Sequence, residues 1–150
     1  MNRKAYIKEL EREHNKIIHL FDQLESDLDK EEVIDHKRFC EILLELKELM
    51  LQHLRSEDDA FYPDMKNRAI ELHQEALLPA LGKYIDDMKL ISTKAFKLFE
   101  DCNIDSCECE LDTEFIRNVK EVRDELLARI RSEEKSLFHI YKGYFLDKLV

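Results

Sequence analysis

An all-α fold, an antiparallel up-down bundle of four helices, follows from two features of this chain. Apolar residues recur at alternating steps of three and four along four long segments, the spacing that keeps one helix face against its neighbours. The 150 residues include only two Gly, two Pro and no Trp, too little turn punctuation for a sandwich or barrel of many short strands. The length and the 44% hydrophobic content suit one domain, residues 1–150, with a full core.

The first helix is expected over about residues 3–28, where Ile7, Leu10, His14, Ile17, Phe21, Leu24 and Leu28 keep the rhythm without a miss. The acidic and basic residues at 29–32 form the turn to a second helix, about 35–62, whose inward stripe reads Phe39, Leu43, Leu46, Met50, His53, Glu57, Ala60. Pro63 is expected to end that helix, because proline disfavours helical backbone before it. Residues 64–77 read as a short helix or irregular linker. A third helix starts near Pro79, proline being favoured in a first turn, and carries Leu81, Ile85, Met88, Ser92, Ala95 and Phe99. The Asp, Cys, Asn and Ser of 101–112 form a loop. The fourth helix, about 113–144, lines up Phe115, Val119, Val122, Leu126, Arg129, Glu133, Ser136 and Ile140. Short connections between amphipathic helices imply an up-down order, which brings side chains of several helices together mid-core.

A formal charge of -10 repels phosphate backbones and argues against nucleic acid as a partner. No apolar run reaches the roughly 20 residues of a membrane span, and the N-terminal residues lack the apolar stretch of a signal peptide, so a cytoplasmic location is the default expectation. The four cysteines, Cys40, Cys102, Cys107 and Cys109, are then expected as reduced thiols. Cys102-x4-Cys107-x-Cys109 does not have the Cys-x2-Cys spacing usual in zinc knuckles. No nucleophile–base pair, phosphate loop or substrate cleft is visible, which makes an enzyme the less favoured class.

The informative residues are the polar ones inside the stripes. Burying an imidazole or a carboxylate is costly unless something compensates it, yet His14, His53, Glu57 and Glu133 all fall on inward faces. His14 lies roughly 21 Å before the end of its helix and His53 roughly 27 Å after the start of the next, at 1.5 Å per residue, so the two can meet within about one turn. His19 and His36 fall off the stripes and are expected in solvent, while His139, near the bundle end, stands where the second helix has Pro63. The segment Arg129-Ile-Arg-Ser-Glu133 repeats His53-Leu-Arg-Ser-Glu57, with arginine standing where histidine stands.

With Glu13-His14-Asn-Lys-Ile17 in the first helix and the second-helix motif His53-Leu-Arg-Ser-Glu57-Asp-Asp-Ala-Phe-Tyr-Pro63, the pattern resembles the hemerythrin-like, or HHE cation-binding, family across the whole chain. The resemblance implies two non-haem irons inside the bundle, bridged by a carboxylate from each of the second and fourth helices. By the same resemblance His14 and His53 match the imidazoles of one iron, and Glu57 and Glu133 match the bridges. The other half departs from the pattern, because Arg129 replaces the fourth-helix histidine and Met88 falls at the third-helix one. His73 is the sole remaining histidine to substitute as a further ligand.

Two imidazoles with two carboxylates form a mixed N/O donor set that suits iron, Mn or Zn alike; the resemblance puts iron first, and the departures in the second half favour one ion over two. The resemblance extends to a small diatomic partner and to sensing or handling of oxygen, nitric oxide, iron or redox state. Reversible dioxygen carriage in the family draws an electron from each of two irons, so a one-ion centre is poorly suited to it. Arginine has only donors and cannot ligate a metal. Arg129 is expected instead to sit where the second cation would be, hydrogen-bonded to Glu57 and Glu133. The competing reading is a metal-free bundle in which a buried Arg-Glu-His network serves a structural or protein-interaction module.

Overall fold

The computed structural model describes residues 3–108 and 110–146, with side chains from 6 to 143 apart from 109. The bundle is built as expected from helices and, among the described residues, contains no strand. Helix α1 (Arg3–Gln23) runs almost directly into α2 (Glu25–Lys30), and all seven apolar or imidazole positions named for this stretch are buried. Helix α3 (His36–Ser56) opens on Asp35, whose carboxylate accepts from the Arg38 N–H at 3.1 Å and satisfies one of the free donors of the first turn. Helix α4 (Tyr62–Glu71) follows, then α5 (Leu78–Cys102) and α6 (Thr113–Glu133), the last capped by Asp112 accepting from the Phe115 N–H at 2.9 Å. Helix α1 packs on α3, and α5 packs on α6. No helix among the described residues is long and apolar enough to cross a membrane.

Pro63 does not end the second helix. A π-helical turn, Glu57–Phe61, joins α3 to α4, with the Tyr62 N–H bonding the Glu57 carbonyl five residues back. The wider turn restarts the ladder, so Pro63 falls in the first turn of α4, where a missing N–H costs nothing. One extra residue per turn also rotates every later side chain. Ala60 is therefore exposed, contrary to its expected inward place, and Phe61 is fully buried instead. A second π-helical turn, Glu134–Phe138, follows α6 and brings Leu137 and Phe138 inward where Ser136 was expected. The repeated segment of the sequence is thus a repeated backbone feature: both Glu57 and Glu133 stand at the entrance to a π-helical turn.

Of the two readings of 64–77, the short helix is the one observed: most of the stretch belongs to α4, closed by Leu72 and by His73 in left-handed backbone, φ 57°. His73 is an exposed turn residue there and not part of the buried set. The cysteines also differ from expectation. The chain after α5 folds back over the first turns of α3, burying Ile104, and Cys107 is disulfide-bonded to Cys40 with a Cα–Cα distance of 5.9 Å, inside the usual range. Cys102 is disulfide-bonded as well; Cys109 lies outside the described residues. The thiol expectation came from compartment alone, whereas this pairing is decided by where the loop lands.

The apolar interior is divided in two. One cluster, from Leu28, Phe39 and Leu43 up to Ile17, Met50, Met88 and Ile130, fills the end nearest the α1–α3 turn. The other, containing Ile7, Leu10, Phe61, Met65, Leu81, Leu137, Phe138 and Tyr141, fills the opposite end. Along every helix the change from one cluster to the other occurs at the same level: between Leu10 and Ile17, Met50 and Phe61, Ile130 and Leu137. The polar residues occupy that level.

Candidate metal centre

His14 lies between Leu10 and Ile17 on α1, His53 one turn from the end of α3, Glu57 on the first residue of the π-helical turn and Glu133 on the last residue of α6. All four are buried, none more than 2% exposed. Their potential donor atoms, one from each residue, lie within 4.8 Å of one another. The two imidazole Nε2 atoms are 3.0 Å apart, His14 Nε2 is 3.4 Å from Glu133 Oε1, and His53 Nε2 is in ion-pair contact with Glu57 Oε1.

Each ring is oriented from behind by a carboxylate. The His53 Nδ1–H donates to Glu13 Oε1 at 2.8 Å, and the His14 Nδ1–H donates to Glu134 Oε1 at 3.0 Å. Both assignments turn Nε2 toward the common centre, the orientation in which a histidine ligates a metal once that nitrogen gives up its proton. Glu13 is itself buried and takes a second, longer bond from the Ser56 hydroxyl at 3.4 Å. Phe138 stacks flat on His14, with ring centroids 5.1 Å apart. Glu13 and Glu134 did not emerge from the sequence, where each reads as one more charge in a helix rich in both signs. Their one available signal was position, since each is the chain neighbour of a candidate ligand.

Tyr62 is the third residue missed. Its hydroxyl, in the first turn of α4, donates to Glu133 Oε2 at 3.0 Å, and the side chain is buried. Glu57 Oε2 is buried without a hydrogen bond, and the equally buried Glu57 Oε1 and Glu133 Oε1 face only the imidazole Nε2 atoms of His53 and His14. Unsatisfied buried carboxylate oxygens are rare in folded proteins because their desolvation is not offset. Three such oxygens together with two inward-facing Nε2 atoms form the donor arrangement a divalent cation satisfies, and it fits the mixed N/O set of the first transition series.

Arg129 does not enter this centre. Position 130, not 129, continues the buried stripe of α6, and Ile130 occupies it. The guanidinium turns outward, bonds Asp87 on α5 at 2.7 Å and lies 4.8 Å above the Tyr84 ring, one quarter exposed. A charge that can reach a half-wet carboxylate avoids the desolvation that an interior position would demand. The expected guanidinium bridge between Glu57 and Glu133 is therefore absent, and with it the cation on which the metal-free network depended. Met88 is buried on α5, as its stripe required, and His73 stays outside.

Protons provide the compensation when no metal is bound. Burial opposes a charge on His53, but the Glu57 carboxylate and the bond to Glu13 prevail and raise its pKa to about 10. Burial likewise opposes ionisation of Glu57, yet the neighbouring His53 holds it down to about 2. Glu133 is pushed up to about 7 by burial and by the charge of Glu57. His14 is raised too, its burial outweighed by hydrogen bonding to Glu133 and Glu134. The Tyr62 phenol is driven well above its ordinary range by burial and by both carboxylates, so it remains a donor.

A groove of about 740 Å³ runs between the end of α3 and α5, with Leu54, Asp58 and Phe96 on its walls, and reaches inward to Met88. The family model of the hemerythrin HHE cation binding domain matches residues 5–141. No curated protein and no solved structure matches the chain.

Proposed function

Because this chain belongs to the hemerythrin HHE cation-binding family, we propose that it holds one non-haem metal ion, iron in the first place, through His14, His53, Glu57 and Glu133. The observation that carries this reading is the set of three buried carboxylate oxygens that meet nothing but the two inward-facing Nε2 atoms. One ion is favoured over two because Arg129 is turned to Asp87 and Met88 stands on α5. Among the described residues no second group of three or more metal-binding side chains accompanies the first.

Iron held by imidazoles and carboxylates supplies an open position for a diatomic molecule and a one-electron redox couple. The residues around it supply the rest. Glu13 and Glu134 hold the two rings in the ligating tautomer, Phe138 shields His14, and the two apolar clusters exclude bulk water from both sides. A small uncharged ligand suits such a site, and the groove that reaches Met88 supports an approach from the α3–α5 side. The physiological role we favour is sensing or handling of oxygen, nitric oxide, iron or redox state.

Elemental analysis with an ultraviolet-visible spectrum tests this reading on protein purified from iron-supplemented and unsupplemented cultures. About one iron per chain is expected, lost in His53→Ala and Glu57→Ala variants that remain helical. Two metals per chain, or none under either condition, would refute it. In the second case the chain is a metal-free bundle.

A further inference from the structure

The two candidate carboxylates are not equivalent. Both Glu57 oxygens are left for the centre, Oε1 against His53 Nε2, whereas Glu133 leaves one: Oε2 accepts from Tyr62, and Oε1 alone, 3.4 Å from His14 Nε2, faces the centre. A carboxylate that bridges two cations uses both oxygens. We propose that the Tyr62 hydroxyl takes the place on Glu133 that a second cation would fill, making Glu133 a one-oxygen ligand and Tyr62 the residue that positions it.

Three features support the assignment. Tyr62 is held by its place in the fold, since the π-helical turn Glu57–Phe61 sets its orientation and its ring is packed against Phe61 at 5.6 Å between centroids. The side chain is only 3% exposed, so water does not compete for Glu133 Oε2. The donor is neutral, so it satisfies the oxygen without adding the positive charge that Arg129 would have brought. A buried charge needs all its lone pairs satisfied as well as a counter-ion, and here the hydroxyl takes one oxygen and leaves the other for the metal.

The inference rests on the metal-centre reading above, and the test separates the two. Metal-free wild type and Tyr62→Phe are titrated with Co(II), recording visible absorption and competition with a chelator, and circular dichroism checks the fold of both. The expected result is one Co(II) per wild-type chain and, in Tyr62→Phe, roughly ten- to hundredfold weaker binding, the usual effect of losing a hydrogen bond to a ligand. The variant's absorption should also weaken, because Glu133 is free to bind with both oxygens and the coordination number rises. A residue of purely structural importance would lower the melting temperature and leave affinity and spectrum unchanged, and that outcome overturns the proposal. Wild-type protein loaded with Fe(III) gives a reading that does not depend on the variant folding. A phenolate-to-iron band in the visible would make Tyr62 a ligand and overturn its positioning role; its absence is expected. Wild type that takes no Co(II) overturns the metal-centre reading itself and this proposal with it.

Discussion

Adding a divalent metal to the metal-free protein should expel protons, because the same buried atoms hold either one. At pH 7 His53, raised to about 10, carries its proton almost completely, and Glu133, raised to about 7, carries about half of one. Ligation requires a free Nε2 and an ionised carboxylate, so these protons leave on binding, and His14, also raised, adds to them. Roughly one and a half to two and a half protons per metal are expected at pH 7. Removing the His53 proton three units below its pKa costs about 4 kcal/mol at 1.36 kcal/mol per unit. Apparent affinity should therefore rise at least about tenfold per pH unit between 7 and 10, from His53 alone, and at least about a hundredfold per unit below 7 where Glu133 is also protonated, with His14 adding to both. Calorimetric titration with Zn(II) at pH 6.5 and 8, each in two buffers of different ionisation enthalpy, counts the protons directly. Equal heats in both buffers at both pH values would mean that no protons are held where the metal goes, and would refute the account of the centre.

The same shifts set the stability of the metal-free chain. A raised histidine stabilises the fold fully below its unfolded value near 6.5 and loses that contribution as pH climbs through about 10. The raised Glu133 begins to oppose folding above about 4.5 and does so fully above about 7. The lowered Glu57 contributes above about 4.5 and loses its contribution only as pH falls through about 2. Metal-free protein should thus melt lower at pH 9 than at pH 5.5, and saturating metal should remove most of that difference.

Glu13→Gln keeps the shape beside His53 but removes the charge that orients it, and should weaken metal binding about 10- to 100-fold in a chelator competition with the melting curve as control. Arg129→Ala should leave metal stoichiometry and affinity unchanged and cost about 1 kcal/mol in denaturant unfolding, since it loses a partly exposed ion pair and a ring contact; a drop in metal content would return the guanidinium to the centre. The double variant Cys40→Ser, Cys107→Ser opens a link across 67 residues and should lose up to about 4 kcal/mol of stability in the loop-closure account. An unchanged midpoint in the oxidised protein would mean the bond does not form.

The periodicity of apolar residues was sufficient for the fold and for the interior level at which four polar side chains meet. Ile7 to Leu28, Phe39 to Met50 and Leu81 to Phe99 repeat at helical spacing, and on such a stripe His14, His53, Glu57 and Glu133 have nowhere to point but inward. Local pattern carried that information because an α-helix ties each residue's direction to its neighbours three and four positions away. The same regularity misled past Glu57 and Glu133, where a π-helical turn adds a residue and moves Ala60 and Ser136 off the buried face.

Partner choice lay beyond local pattern. Arg129 stands in the repeat where His53 does, yet it meets Asp87 and Tyr84 because α5 offers them at the bundle's edge. Glu13 and Glu134 look like ordinary acidic residues until α3 and α1 bring an imidazole to each. Tyr62 reaches Glu133 across 71 positions of the chain, and Cys107 reaches Cys40 across 67. A helical stripe says which way a side chain faces; what it finds there is decided by another helix, placed by contacts distant in the sequence.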